Sequence, residues 1–291
     1  MTGCLTPSSV SELASALSRC TGNSRILAGG TDYVIRSRRT VREPDYLLYL
    51  GGVPELRTIA PEGDYLRIGS MVTMGEASSR LSGHAALCAL ADAAGDVGSP
   101  QIRAKATLAG NLCNASPAGD MLPVSLLFGT LVEILSADGS VARVPVEEFI
   151  LGPGKTVLTP GRAVTALLVP ETPFLGWVSA FRKIGSRERV SIARESLAIA
   201  VLPAGDGTFA AARVTLGAVA NTPIRVPEAE RLLIGRPADD ALLSALTDII
   251  SRTVHENCRP ANRLYKTEAA RGLTADVLEL LLRRAAAVSK P

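Results

Sequence analysis

Histidine, aromatic residues and paired cysteines are all scarce in this chain of 291 residues. The two histidines are His84 and His255. His84 follows Ser82-Gly83 at a loop-to-helix junction and His255 closes a helical pattern, so both read as structural or exposed. Neither joins carboxylates at metal-ligand spacing, and no G-x-S-x-G elbow occurs. No catalytic side chain and no metal ligand is therefore expected. The five cysteines (Cys4, Cys20, Cys88, Cys113, Cys258) are odd in number, and no two stand in a C-x-x-C spacing. That argues against a disulfide framework, a zinc site or an iron–sulfur site within the chain and fits a reducing cytoplasm. Aromatic residues at 4% leave a single-stranded nucleic-acid surface without stacking platforms. No uncharged apolar run reaches the roughly 18 residues that span a bilayer. The nearest, Leu122 to Leu135, is interrupted by Glu133. Met1-Thr2-Gly3-Cys4 has neither the basic start nor the apolar core of a signal peptide. The expectation is a cytoplasmic chain with no membrane span and no nucleic-acid partner.

What is present is apolar mass. Hydrophobic residues at 47% supply ample core, and the length predicts about two domains. The net charge of +3 is a weak bias. Its one dense cluster, Arg36, Arg38, Arg39 and Arg42, reads as a solvated helix end or as an attraction for an anionic cofactor or partner subunit. Ser9-Val10-Ser11-Glu12 fits a capping box ahead of the helical face Leu13, Ala16, Leu17. Ser24 to Ala28 reads as a strand, Gly29-Gly30 as a turn, Thr31 to about Arg39 as a helix and Tyr46 to Leu50 as a strand. Tyr65 to Gly69 is a further strand, and Thr73 to Ser79 and His84 to Ala94 are helical. Residues 96–120 show almost no periodicity, and a long structureless segment is usually functional. Val132 to Leu135 and Val141 to Val144 flank Asp138-Gly139, a hairpin signal, and Val164 to Val169 is another strand. Pro170-Glu171-Thr172-Pro173 marks a boundary between domains 1–172 and 173–291. Beyond it, Trp177 to Ile184, Leu197 to Leu202 and Phe209 to Ala218 predict a small antiparallel sheet with a turn at Asp206-Gly207. Asp239 to His255 and Thr267 to Ala286 predict long helices.

Two glycine-bearing stretches about eighty residues apart carry the chemistry. The first is Ile26-Leu27-Ala28-Gly29-Gly30-Thr31-Asp32-Tyr33. It follows a strand and opens a helix, where backbone N–H groups and the helix dipole favour phosphate. It is neither G-x-G-x-x-G nor a Walker loop, and by itself it is equally a tight strand-to-helix turn. The second runs from Ala106 to Asp120. Gly110 and Gly119 allow close approach, while Thr107, Asn111, Asn114 and Ser116 supply polar groups. Asp120 supplies a carboxylate that can accept from ribityl or ribose hydroxyls. An ordered polar loop satisfying its own backbone is the alternative. Diphosphate-type loops without acid–base machinery point to a cofactor that brings its own chemistry.

Taken together, these segments resemble the flavoprotein subunits of the molybdenum hydroxylases, the xanthine dehydrogenase and carbon monoxide dehydrogenase group. The resemblance covers nearly the whole chain. It rests on Leu27 to Asp32, Leu66 to Ser70, Pro100 to Arg103 with Ala106-Thr107, Gly152 to Thr156, Phe181 to Arg187 and Gly217 to Arg225. It implies an α+β fold: a vanillyl-alcohol-oxidase (PCMH)-type FAD-binding domain of two subdomains, then a small α+β domain with an antiparallel sheet and helices. It implies FAD around Ile26, Leu27, Ala28, Gly29, Gly30, Thr31, Asp32 and Tyr33, and around Thr107, Leu108, Ala109, Gly110 and Asn111. It adds Asp120, Val97 ahead of the second loop, Val164 before the domain link, and Lys183, a cation suited to a reduced flavin's negative charge. Ala109 departs from the family's usual glycine; its methyl fits if φ is negative. The cysteine cluster that some relatives carry for an extra iron–sulfur centre has no counterpart.

The resemblance further implies an electron-transfer subunit of a xanthine dehydrogenase-like oxidoreductase. A molybdenum-cofactor subunit and a [2Fe–2S] subunit would complete a hetero-oligomer, with NAD or another acceptor taking the electrons. The alternatives are a stand-alone FAD-dependent oxidoreductase of the same fold and a flavin-free scaffold subunit. Gly152 to Thr156 inclines the substrate towards xanthine or a related heterocycle, by analogy only.

Overall fold

The computed structural model describes residues 3–39, 42–187 and 190–288; Met1 and Thr2 of the N-terminal reading lie outside them. The first subdomain is small. Strand β1 (Gly3–Leu5), helix α1 (Val10–Leu17), strand β2 (Arg25–Leu27), helix α2 (Tyr33–Ser37) and strand β3 (Tyr46–Tyr49) form a parallel sheet in the order β1-β3-β2. Parallel neighbours need crossovers, and α1 and α2 occupy them. Leu13 and Leu17 of α1 bury against Leu5, Leu48, Leu50, Val53 and Leu56. The Ser9 hydroxyl caps α1 by accepting from Glu12 N. The expected capping box does not close, because the Glu12 carboxylate turns to Ser8 N and Oγ at 2.8 and 2.7 Å.

The second subdomain interleaves a sheet with helices. Strands β4 (Ile59–Glu62) and β5 (Tyr65–Gly69) are followed by helices α3 (Met74–Leu81), α4 (Cys88–Asp96), α5 (Pro100–Arg103), α6 (Leu108–Asn114) and α7 (Met121–Phe128). Strands β6 (Leu131–Ser136) and β7 (Val141–Pro145), helix α8 (Val146–Phe149), the short pair β8 (Ile150–Gly152) and β9 (Lys155–Thr156), and strand β10 (Arg162–Pro170) complete it. The main sheet is antiparallel in the order β4-β5-β10-β6-β7. One face packs on the helices through Ile68, Val132, Ile134 and Leu167. The segment 96–120, expected to lack structure, contains α5 and α6. At seven residues α6 is too short to show a period in the sequence. It starts where Thr107 Oγ1 accepts from Gly110 N at 3.0 Å and stops at Ala115, whose φ of 44° leaves the helical range.

The third unit is the antiparallel sheet β11 (Val178–Ile184), β12 (Glu195–Pro203), β13 (Phe209–Gly217) and β14 (Ile224–Arg225), ordered as numbered, with helices α9 (Pro227–Leu233), α10 (Asp240–Asn257) and α11 (Arg263–Val288). The expected Asp206-Gly207 turn is present: Asp206 Oδ1 accepts from Thr208 N and Oγ1, and Gly207 has φ +85°. Alternation along β12 sends Leu197, Ile199 and Val201 to α9–α11, and Ala198 and Ala200 to the core shared with α4 and α7. The fold is α+β, as the resemblance implied. Among the described residues no helix is long and apolar enough to cross a membrane.

One charged group sits badly in this last core. Glu195 is wholly buried, and among the described residues neither carboxylate oxygen has a hydrogen-bond partner. Burial pushes its carboxyl up to about 7, against the pull of Lys266. Lys266 itself donates to the Ala218 carbonyl. The protonated folded state binds a proton that the unfolded chain releases near 4.5. This contribution to stability is therefore full below pH 4.5 and is lost as pH rises through 7. Glu195→Gln is expected to remove that slope and to exceed the parent in stability at pH 8 by about 2–3 kcal/mol. Urea melts at pH 5 and pH 8 measure it; equal slopes in both proteins would refute it.

Candidate functional site

A cleft of about 1160 Å³ opens where the first two subdomains meet. Its walls come from the β2–α2 turn, the β5 end, the α4–α5 connection, α6 and β10. Of the residues expected at a site, Ile26 to Tyr33, Val97, Thr107, Ala109, Gly110, Asn111 and Val164 all line it. Segments as distant in the chain as β2, α6 and β10 thus converge on one space.

The convergence has a steric cause. A Cβ built on Gly29 would lie 1.8 Å from the Lys105 carbonyl oxygen and 2.5 Å from its carbon. Gly29, expected either to approach a phosphate or to make a tight strand-to-helix turn, is first required by the contact between the two loops. Gly30 has φ +74°, a left-handed turn that glycine adopts freely. Across the mouth, Asn114 Nδ2 donates to Asp32 Oδ2 at 2.8 Å and Arg36 Nη2 donates to Asn114 Oδ1 at 2.6 Å. These exposed side chains join the loops a second time.

Ala109 is resolved by its place in α6. Its φ is not positive and its side chain is 3% exposed in the main core, so the methyl is accommodated without strain. Val164 reaches the cleft through a bulge, since the β10–β6 register shifts between Val164 and Ala166. A bulge re-aims a side chain while leaving the ladder on either side intact. The extra residue, Thr165, bonds through its carbonyl to Ser70 N at 2.9 Å.

Three expected site residues stand outside the lining. Leu108 points into the core. Asp120, which is buried, and Lys183, which is half-buried, pair with each other outside the lining. Lys183 Nζ also donates to the Asp96 carbonyl at 2.9 Å, next to Val97. Burial pushes Asp120 above the usual carboxylate range and Lys183 opposes it. The two side chains are thus one unit of opposite charges, where the sequence reading treated them as separate contacts. Sequence reasoning also missed Arg25, Leu47, Leu50, Ser70, Ile102 and Leu158 in the lining. Ser70 had a signal, as the last residue of the matched segment Leu66 to Ser70. Cys113 lines the cleft with a thiol pushed up to about 12 by burial, which keeps it neutral and unreactive. Neither histidine lines it: His84 lies 3.9 Å from Glu171 Oε1, and His255 Nδ1 is 3.4 Å from Thr267 Oγ1. Among the described residues no cluster of three or more His, Cys, Asp or Glu is placed to hold a metal ion.

The lining combines apolar side chains (Val97, Ile102, Leu158, Val164), small and polar residues (Gly29, Gly30, Thr31, Gly110, Asn111) and exposed arginines (Arg25, Arg36, Arg42). This mixture fits a ligand with a planar apolar part and an anionic part, as FAD has. Two buried polar atoms at this site have no hydrogen-bond partner among the described residues: Ser70 Oγ in the lining and Asp120 Oδ1 outside it. Such atoms are rare in native proteins.

Two family models match the chain: the FAD binding domain in molybdopterin dehydrogenase over residues 1–172, and the CO dehydrogenase flavoprotein C-terminal domain over residues 179–281. The nicotinate dehydrogenase FAD-subunit of Eubacterium barkeri is 30% identical over 266 residues, 88% of each chain. The xanthine dehydrogenase FAD-binding subunit of Escherichia coli O157:H7 is 32% identical over 246 residues, 83% of each chain. Among solved structures, a carbon monoxide dehydrogenase from Hydrogenophaga pseudoflava, lacking the Mo-pyranopterin moiety of its molybdenum cofactor, superposes with a TM-score of 0.85. The two are 26% identical, and the match covers 97% of this chain and 98% of that one.

The Gly29 contact yields a direct test. Gly29→Ala is expected to push the two loops apart and destabilise the chain by about 2 kcal/mol, the usual scale for overpacking. Gly83→Ala, with open space around it and no left-handed backbone, is the control for losing a glycine alone. Urea melts compare the two. Gly29→Ala matching the parent would show that the contact is not needed.

Proposed function

The chain belongs to the family of FAD-binding domains in molybdopterin dehydrogenases, and from that premise we propose that it is the electron-transfer flavoprotein subunit of a molybdenum hydroxylase. The observation that carries the reading is the lining of the cleft itself: apolar side chains, two small polar loops and exposed arginines around one space. In this proposal residues 1–172 form the FAD-binding domain and residues 173–291 meet it through Lys183.

Bound FAD supplies the redox chemistry. The chain's residues bind and orient. Gly29, Gly30, Thr31, Gly110 and Asn111 hold the diphosphate, because small residues let backbone come close. Val97 and Val164 keep water from the apolar part. The Lys183–Asp120 pair sets the charge next to Val97, with the ammonium favouring negative charge there. In the reading proposed here, electrons arrive from [2Fe–2S] centres on one partner, after a second partner holding the molybdenum cofactor has oxidised the substrate. They leave to NAD or another acceptor. The substrate is chosen on the partner, and the relatives' names span nicotinate, xanthine and carbon monoxide. A stand-alone oxidoreductase has little support, since no histidine lines the cleft and its carboxylates, Asp32 and Glu43, belong to the rim segments.

The purified full-length chain is expected to take up one FAD, with the absorbance bands of oxidised flavin, and to bind FMN at least about tenfold more weakly because FMN lacks the adenylate. Absorbance and fluorescence titrations measure both. No uptake at saturating FAD would end the proposal.

A further inference from the structure

Strand β11 is the edge of its sheet, so alternate backbone groups on its outer side have no neighbouring strand. Asp92 of α4 and Arg284 of α11 take that strand's place. Asp92 Oδ2 accepts from Phe181 N at 3.2 Å, and Arg284 Nη1 donates to the Ser179 carbonyl at 2.8 Å. The two side chains meet each other in a two-pronged pair at 2.7 and 2.8 Å, with exposures of only 14% for Asp92 and 24% for Arg284. Such a fork fixes direction as well as distance.

Two further rungs flank this pair. Ser179 Oγ donates to the Ala86 carbonyl at 2.6 Å and accepts from Ala89 N at 2.9 Å. Lys183 Nζ donates to the Asp96 carbonyl at 2.9 Å and pairs with Asp120. Residues 179, 181 and 183 repeat at the strand period, and Asp92 and Asp96 at the helix period. One register of strand on helix therefore satisfies every rung, and a slip of one residue breaks them all. The last rung lies against the cleft, because Val97, the residue after α4, is part of its lining.

We propose that Asp92 and Arg284 are positioning residues for the cofactor site: they set the register of β11 on α4, and through it the placement of Val97 and Lys183. Neither side chain lines the cleft. The inference rests on the FAD reading for what is positioned, while the register itself is a property of the chain alone.

The test uses full-length Asp92→Asn, which keeps the shape and loses the charge, and Arg284→Lys, which keeps the charge and loses the fork. Both are expected to bind FAD about tenfold more weakly, a change of about 1.4 kcal/mol. Both should also shift the bound flavin's midpoint potential and visible circular dichroism. Without FAD, both are expected to speed amide exchange at Val97 and Phe181. Variants that lose melting temperature alone, with parental potential, dichroism and exchange at Val97, would overturn the proposal and leave the pair a brace. A parent chain that takes up no FAD would fail the functional reading instead, and exchange at Val97 in the FAD-free variants would still decide the register.

Discussion

At Gly29 two backbones meet with no room for a side chain between them, and much of the cleft's shape follows. The turn after β2 belongs to a parallel sheet held by its own small core, and the Lys105 carbonyl belongs to the approach to α6. This close contact holds the β2–α2 turn against the approach to α6, so the two loops face the same space. The outer tie through Asp32, Asn114 and Arg36 is exposed and polar, so it adds direction more than stability. The Gly29 contact is van der Waals in nature and does not depend on salt or pH.

The apolar lining depends on a different kind of constraint. Val164 and Val97 come from an irregular strand and a helix end, places where backbone is free to aim a side chain. Regular ladder on both sides holds that irregularity. The β10 bulge lies between Arg162–Val164 and Ala166–Leu168 paired to β6, and the α4 end is fastened by β11 from the other domain. Binding residues on short irregular pieces, framed by rigid elements, are the usual compromise between reach and precision.

Much of the fold was legible in the chain. Tyr65 to Gly69 alternates and is a strand with those bounds. The Asp138-Gly139 hairpin and the three long strands after Pro173 also stand where the sequence puts them, because short apolar runs bounded by turn residues are a local signal. The helix α6 was not legible, since seven residues give fewer than two full turns of evidence. Most of the expected site residues line one cleft, yet their joint placement was read from a resemblance and not from spacing. The meeting of Asp120 with Lys183 was not foreseen: 63 residues separate them, and no one-dimensional pattern relates a helix start to a strand in another domain. Gly29 was found for an incomplete reason, because a glycine signals close approach without saying what approaches.

The ladder joining Asp92 to Arg284 spans 192 residues of sequence. Ribosomes deliver chain from the N-terminus at about 5–20 residues per second, and domains fold as they emerge. Both glycine loops therefore leave the exit tunnel several seconds before the α11 residue that fastens α4. On the register proposed for Asp92 and Arg284, the placement of Val97 and Lys183 is then the last part of the cleft to be fixed as the chain emerges.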